Sequence, residues 1–253
     1  MIDNAEIRRR ASALGVQEDH VERDYVLNHI LAHISADPGT LIFRGGTALA
    51  RVYWPDFRLS EDLDFITPGS GADIEGVVRK AVRRGQESTG IELSLDFSAP
   101  RGDRSRSTVG WTTVWGSAGS LLIDVVRGEE PALPEEDHEL NLPYSDLADA
   151  RSLSVLPLAD ILGSKWGMLD ERDEPRDLFD VWFALTQAAV PFEALALGHR
   201  ARFGYDPIPA FLTRAERLRH AWRERLGHQV RELPEFDVVL GDVRAIVDNR
   251  EFS

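Results

Sequence analysis

Asp62-Leu63-Asp64-Phe65 places two carboxylates on alternate residues of a short apolar stretch, and alternate side chains of a strand share a face. Their Cα atoms then lie about 6.6 Å apart, close enough for the oxygens to converge on one cation. Without a cation the two repel, so the pattern makes best sense with Mg²⁺ as the neutralising partner. Two solvent-facing aspartates at a sheet edge would share the same spacing. Upstream, Phe43-Arg44-Gly45-Gly46-Thr47 puts two glycines and a hydroxyl at an expected strand-to-helix turn. Glycine lets the backbone approach a ligand, and the N–H groups of such a turn can bind phosphate oxygens; an ordinary tight turn uses the same residues. The segment lacks the Lys-Ser/Thr ending of a P-loop, so a Walker-type NTPase is not supported.

A third carboxylate, Asp124, sits inside Leu121-Leu122-Ile123-Asp124-Val125-Val126. An acid in so apolar a strand is costly to bury unless it is paired or bound to metal, although a solvent-facing position opposite Ile123 and Val125 would also accommodate it. Lys165 interrupts the helical stripe of Leu158, Ile161, Leu162 and Leu169. It either snorkels to water or aims its ammonium at an anionic group such as a triphosphate. Pro175 suits the first position of the next helix, which puts Asp177 in the first turn, favourable to an acid, and Asp180 three residues on along the same face. Either could steady Lys165 or Arg176. His29 and His33 have the i, i+4 spacing of a metal pair but lack the Glu of a zinc-protease motif, which favours a surface helix. Arg214, Arg217, Arg219, Arg223, Arg225 and Arg231, interleaved with Glu216 and Glu224, read as a solvated face or as a contact to a phosphate backbone.

The chain has 253 residues, with 29 Lys plus Arg against 43 Asp plus Glu, a formal charge of −14 and 43% hydrophobic residues. Only Lys80 and Lys165 are lysine. This composition supports a packed globular fold. The negative charge disfavours general polyanion binding, so any nucleic-acid contact must be a local patch. Absence of cysteine excludes disulfides, thiolate nucleophiles and Cys-ligated metals. No apolar run is long enough to span a membrane and the N-terminus lacks a signal-peptide core, so no membrane association and a cytoplasmic location are expected.

The elements that must position these residues follow from periodicity. Helices are expected over 5–15 and 18–36, with Val21, Tyr25, Leu27, Ile30, Leu31 and Ile34 forming an apolar face. Strands follow at 41–43 and 63–66, then a helix at 72–86 and β-prone stretches at 91–97, 108–115 and 120–126. Residues 128–150 hold eight acids, no Lys or Arg, and Pro131, Pro134 and Pro143, and read as a solvated connection. From Pro157 onward the pattern is helical, at 157–171, 175–188, 191–200, 208–227 and 235–247. The fold class is therefore α+β, with domains at 1–150 and 151–253.

Together, Gly45-Gly46-Thr47-Ala48-Leu49, then Arg58-Leu59-Ser60-Glu61-Asp62-Leu63-Asp64-Phe65, then Lys165 and Arg176-Asp177-x-x-Asp180, resemble the AbiEii family of nucleotidyltransferase toxins and its MenT-like members, over residues 20 to 190. That family belongs to the DNA polymerase β-like superfamily, in which Gly-Ser is usual where Gly-Gly-Thr stands here. The resemblance implies a bilobed fold, an N-terminal mixed-sheet nucleotidyltransferase domain and a C-terminal helical bundle with the nucleotide between them. It also implies a toxin neutralised by a cognate antitoxin protein. Asp62, Asp64, Lys165 and Asp177 would be catalytic. Gly45, Gly46, Thr47, Arg58, Ser60, Asp124, Arg176 and Asp180 would contact nucleotide or support the site, and Asp62, Asp64 and Asp124 would hold metal. The family's second-half acid could align with Asp177 or Asp180. The implied reaction moves an NMP from an NTP to an acceptor hydroxyl, at the 3′ end of tRNA, with Mg²⁺ in a two-metal site and release of pyrophosphate. A protein or small-molecule acceptor, or a catalytically idle nucleotide-binding module, are the alternatives.

Overall fold

The structure is a computed structural model that describes residues 1–249 except Ser70, Val114, Ala148 and Ala150. Val114, expected in a strand, and Ala148 and Ala150, expected in a connection, thus lie outside the described residues. The chain divides into two compact units, Met1–Leu156 and Pro157–Ser253.

The first unit opens with helices α1 (Asn4–Leu14) and α2 (Glu18–Ser35). Asp3 caps α1 by accepting the Glu6 N–H at 2.8 Å. There follow β1 (Ile42–Arg44), α3 (Gly45–Ala48) running on through a π-type turn at Leu49–Tyr53, β2 (Asp62–Thr67), α4 (Ile74–Thr89), β3 (Glu92–Phe97), β4 (Arg104–Thr112), β5 (Ala118–Arg127), β6 (Glu136–Glu139) and β7 (Ser152–Val155). The strands form one sheet in the order β3-β4-β5-β2-β1-β7-β6. It is mixed: β2 runs parallel to β5 and β1 to β7, and the remaining pairs are antiparallel.

Period-two burial decides which side chains face the core. Leu63 and Phe65 of β2, Leu121, Ile123 and Val125 of β5, and Val109 and Trp111 of β4 are buried. Helix α2 packs on β2 and β5, and α4 on α2 and β3. Each fully buried Leu, Ile or Phe contributes about 1.5–3 kcal/mol. Asp62, Asp64, Leu122 and Asp124 alternate with these residues and are half-exposed. A register slip of one residue would drive the acids into the core, so hydrophobic burial itself fixes the carboxylates on one face.

Asp24 and Arg51 are each 1% exposed and form an ion pair, and the Tyr144 hydroxyl donates to Asp24 at 2.8 Å. Desolvation followed by the Asp24 charge pushes the Tyr144 pKa up, so the phenol stays a donor.

Several sequence expectations need correction here. Within 128–150, β6 pairs antiparallel with β7, although its residues Glu-Asp-His-Glu show no apolar alternation. β6 is an edge strand, where backbone pairing suffices and charge discourages further association. β7 lies beyond residue 150 yet belongs to this sheet, since Phe43 pairs with Val155. β4 starts at Arg104, earlier than expected, because its polar end pairs with β5.

The second unit is helical: α5 (Leu158–Glu171), α6 (Pro175–Trp182) with a π-type turn at Phe183–Gln187, α7 (Phe192–Phe203), a 3₁₀ turn at Ala210–Thr213, α8 (Glu216–Leu226) and α9 (Phe236–Asp248). One helix was expected over 208–227, but Pro209 caps a short 3₁₀ turn and α8 starts only at Glu216. Helices α5 and α7 meet through glycine. A Cβ on Gly163 would strike the His199 backbone nitrogen, and one on Gly198 the Ala159 carbonyl. Trp166, fully buried, stacks edge-on against Phe192 and Phe211 at 5.3 and 5.1 Å.

Candidate active site

In the first unit, four charged residues stand in register across four neighbouring strands. Arg106 of β4 is opposite Asp124 of β5, Asp124 opposite Asp64 of β2, and Asp64 opposite Arg44 of β1. Asp62 shares their face, two residues from Asp64. The row therefore reads cation, acid, acid, cation, with neighbouring strands about 4.8 Å apart.

The two ends are tied down. Arg106 grips both oxygens of Asp124, Nε to Oδ1 at 2.8 Å and Nη2 to Oδ2 at 2.7 Å. These hydrogen bonds first, then the charges of Asp124, Asp62 and Asp64, raise the Arg106 pKa. Arg44 donates to Glu129 at 2.9 Å.

The glycine turn lies against this row. Gly45 has φ 81°, and a Cβ there would come within 2.5 Å of Asp64 Oδ2, so only glycine lets the turn sit on the carboxylate. A side chain on Gly46 would strike the guanidinium of Arg58, itself 3% exposed. Both glycines are half-exposed. Thr47 is 0% exposed. Its hydroxyl meets Ser60 Oγ at 2.7 Å and also donates to the Asp62 carbonyl. Thr47 and Ser60 therefore bolt the turn to the start of β2, and the Thr47 hydroxyl faces inward.

The metal question turns on donor chemistry. Asp62 and Asp64 are hard oxygen donors on one half-exposed face, which suits Mg²⁺, an ion commonly held by one or two carboxylates plus substrate phosphates. The three-acid set expected from sequence is not gathered in this conformation. No group of three His, Cys, Asp or Glu placed to hold a metal ion stands among the described residues, and both oxygens of Asp124 bond to Arg106. A cavity of about 400 Å³ exists near the start of α4, lined by Asp37, Thr40, Ile74 and Lys80 among others. None of the site residues lines it.

In the second unit, Lys165 of α5 bonds Asp177 Oδ1 at 3.1 Å and Asp180 Oδ2 at 2.6 Å, both on α6. Lys165 is 8% exposed, Asp177 1% and Asp180 0%. The ammonium does not snorkel; the helix face it interrupts is neutralised by the neighbouring helix. Asp177 is shared, its Oδ2 accepting from Arg172 Nε at 2.8 Å. Arg176 instead bonds the capping Glu174.

The expectation of a surface helix at His29 and His33 fails for His29, while His33 is half-exposed. His29 is 3% exposed, against Asp146 and Ser88, and burial pushes its pKa down to about 4 despite the Asp146 charge. Of the arginine-rich stretch, Arg214 pairs with Asp170, Arg219 with Glu216 and Asp237, and Arg223 with Glu235. Arg217, Arg225 and Arg231 are exposed and form no ion pair among the described residues. Sequence reasoning missed Arg106, Arg172 and Arg44 as members of these clusters. The alternation Arg104-Ser105-Arg106-Ser107 was a signal for Arg106, but its partner is set by strand register.

The fold is similar to two solved structures. JHP933 from Helicobacter pylori aligns with a TM-score of 0.65 at 17% identity, covering 92% of each chain. MenT4, a nucleotidyltransferase toxin from Mycobacterium tuberculosis, aligns with a TM-score of 0.60 at 18% identity, covering 97% of this chain and 88% of its own. No curated protein sequence matches this chain. The family profile described as the nucleotidyl transferase AbiEii toxin of type IV toxin–antitoxin systems matches residues 29–247. A paired acid on a sheet face beside a double-glycine turn is thus found in a chain that belongs to the AbiEii family of nucleotidyltransferase toxins.

Proposed function

We propose that this toxin transfers an NMP from an NTP to the 3′-terminal hydroxyl of tRNA, with Mg²⁺ held by Asp62 and Asp64, in the cytoplasm and under the control of a cognate antitoxin. The observation that carries this reading is the contact of the Gly45 turn with Asp64: a glycine surface suited to phosphate abuts a surface suited to a divalent cation. A bound divalent ion supplies charge neutralisation for the triphosphate and a lowered pKa for the acceptor hydroxyl. The chain's own residues do the rest. Gly45 and Gly46 offer backbone close to the phosphates. Arg58, behind Gly46, contributes fixed positive charge, while Thr47 and Ser60 hold the turn to β2. Asp124 is oriented by the two-toothed grip of Arg106. Within the second unit Lys165, Asp177 and Asp180 form their own buried charged cluster, with Arg176 bonded to Glu174 at the start of α6.

In the reaction the acceptor hydroxyl gives up its proton to water, its oxygen bonds to the α-phosphorus, the bond from that phosphorus to the α–β bridging oxygen breaks, and pyrophosphate departs. Exposed Arg217, Arg225 and Arg231 support a polyanionic acceptor, as does the resemblance to MenT-like toxins. The test is incubation of the purified protein with each labelled NTP, Mg²⁺ and total tRNA. Label should enter the tRNA, and Asp62→Ala should lower incorporation on the order of a thousandfold. Wild-type labelling by that variant sinks the site assignment. Label that resists ribonuclease and follows protein or a small molecule overturns the tRNA acceptor.

A further inference from the structure

Arg106 is a cation already seated where a divalent cation is proposed to bind. It occupies both oxygens of Asp124 in a bidentate fork, on the strand face that carries Asp62 and Asp64. Asp124 is in register with Asp64, so it lies beside the proposed ion site. A carboxylate whose two oxygens are bonded to a guanidinium has little to offer a metal, and a second positive charge nearby is repelled. The Arg106 side chain is 43% exposed and that of Asp124 15%. A guanidinium so exposed can rotate into water without uncovering core.

We propose that Arg106 is the resident counter-ion of the carboxylate face: it holds Asp124 while no divalent ion is bound, competes with that ion, and releases Asp124 to the site when the ion enters. The inference rests on the assignment of Asp62 and Asp64 as a divalent-cation site. It makes Arg106 a positioning residue that sets the metal concentration at which three acids become available.

Direct binding of Mn²⁺ to nucleotide-free protein, followed by the loss of the free-ion electron paramagnetic resonance signal, reads this without any turnover. Arg106→Gln should bind Mn²⁺ more tightly, on the order of tenfold. Its metal-free form should melt lower, because Asp124 then loses the guanidinium that offsets its charge beside Asp64. Arg106→Lys keeps the charge without the fork and should bind Mn²⁺ within about threefold of wild type; it also serves if the glutamine variant does not fold. Unchanged or weaker Mn²⁺ binding by Arg106→Gln, or equal tightening by Arg106→Lys, overturns the role of Arg106. If the wild type binds no Mn²⁺, or Asp62→Asn binds it as well as wild type does, the site assignment itself fails instead.

Discussion

Lys165 shows how one residue can be recognised as unusual from sequence while its partners are not. The helical stripe shows that a charge interrupts an apolar face, but burial with Asp177 and Asp180 depends on how α6 packs on α5. Removing one partner of a buried ion pair costs about 3–5 kcal/mol because the other charge stays behind. Lys165→Ala should therefore lose stability of about that size in urea unfolding, and a loss under about 1 kcal/mol would show that the cluster is not needed for folding. Activity lost in that variant consequently needs Lys165→Arg beside it, which keeps the charge. His29 illustrates the opposite failure: its spacing suggested a surface position, yet it is buried and neutral. Its pKa falls from 6.5 to about 4 in the fold, so the unfolded chain binds more protons between these values. Its neutral form carries full stability above pH 6.5, and about 2–3 kcal/mol is lost as pH falls from 6.5 to 4. His29→Gln should flatten that slope in denaturant titrations across the same range.

At the scale of elements, periodicity located the helices and most strands because apolar spacing is a local property. The strands it missed, β6 and β7, lack that spacing or are too short to show it. They exist because β1 has a free edge for β7 to pair with, and β6 pairs with β7 in turn. The α5–α7 contact was equally hidden, since glycine in a helix is read from sequence as a cost and not as a contact. Backbone-to-backbone approach at Gly163 and Gly198 leaves no room for a methyl group. Gly198→Ala should thus lower stability by about 1–3 kcal/mol or more, seen as a lower calorimetric midpoint. Gly241, whose added Cβ would meet nothing within 4 Å, is the control; alanine there should be neutral or stabilising.

For the whole molecule, a charge of −14 sets the terms of any encounter with RNA. Three of six arginines in the basic stretch are consumed by acids, so local attraction is smaller than the sequence suggests. With few phosphates contacted, the affinity for tRNA should fall only gently with salt. A log–log slope no steeper than about −3 is expected, measured by fluorescence anisotropy at several salt concentrations. A slope near −6 would mean a larger basic surface than these three residues supply. Among the described residues no helix is long and apolar enough to cross a membrane.

Sequence alone determined the α+β order of elements, the double glycine, the Asp-x-Asp pair and the family resemblance, because each is encoded by residues close together in the chain. Tertiary structure alone decided that Gly45 rests on Asp64, that Thr47 is a bolt with a buried hydroxyl, and that Asp124 answers to Arg106. Those relations join strands distant in sequence, and the register that creates them is set by burying Leu63, Phe65, Ile123 and Val125 on the opposite face.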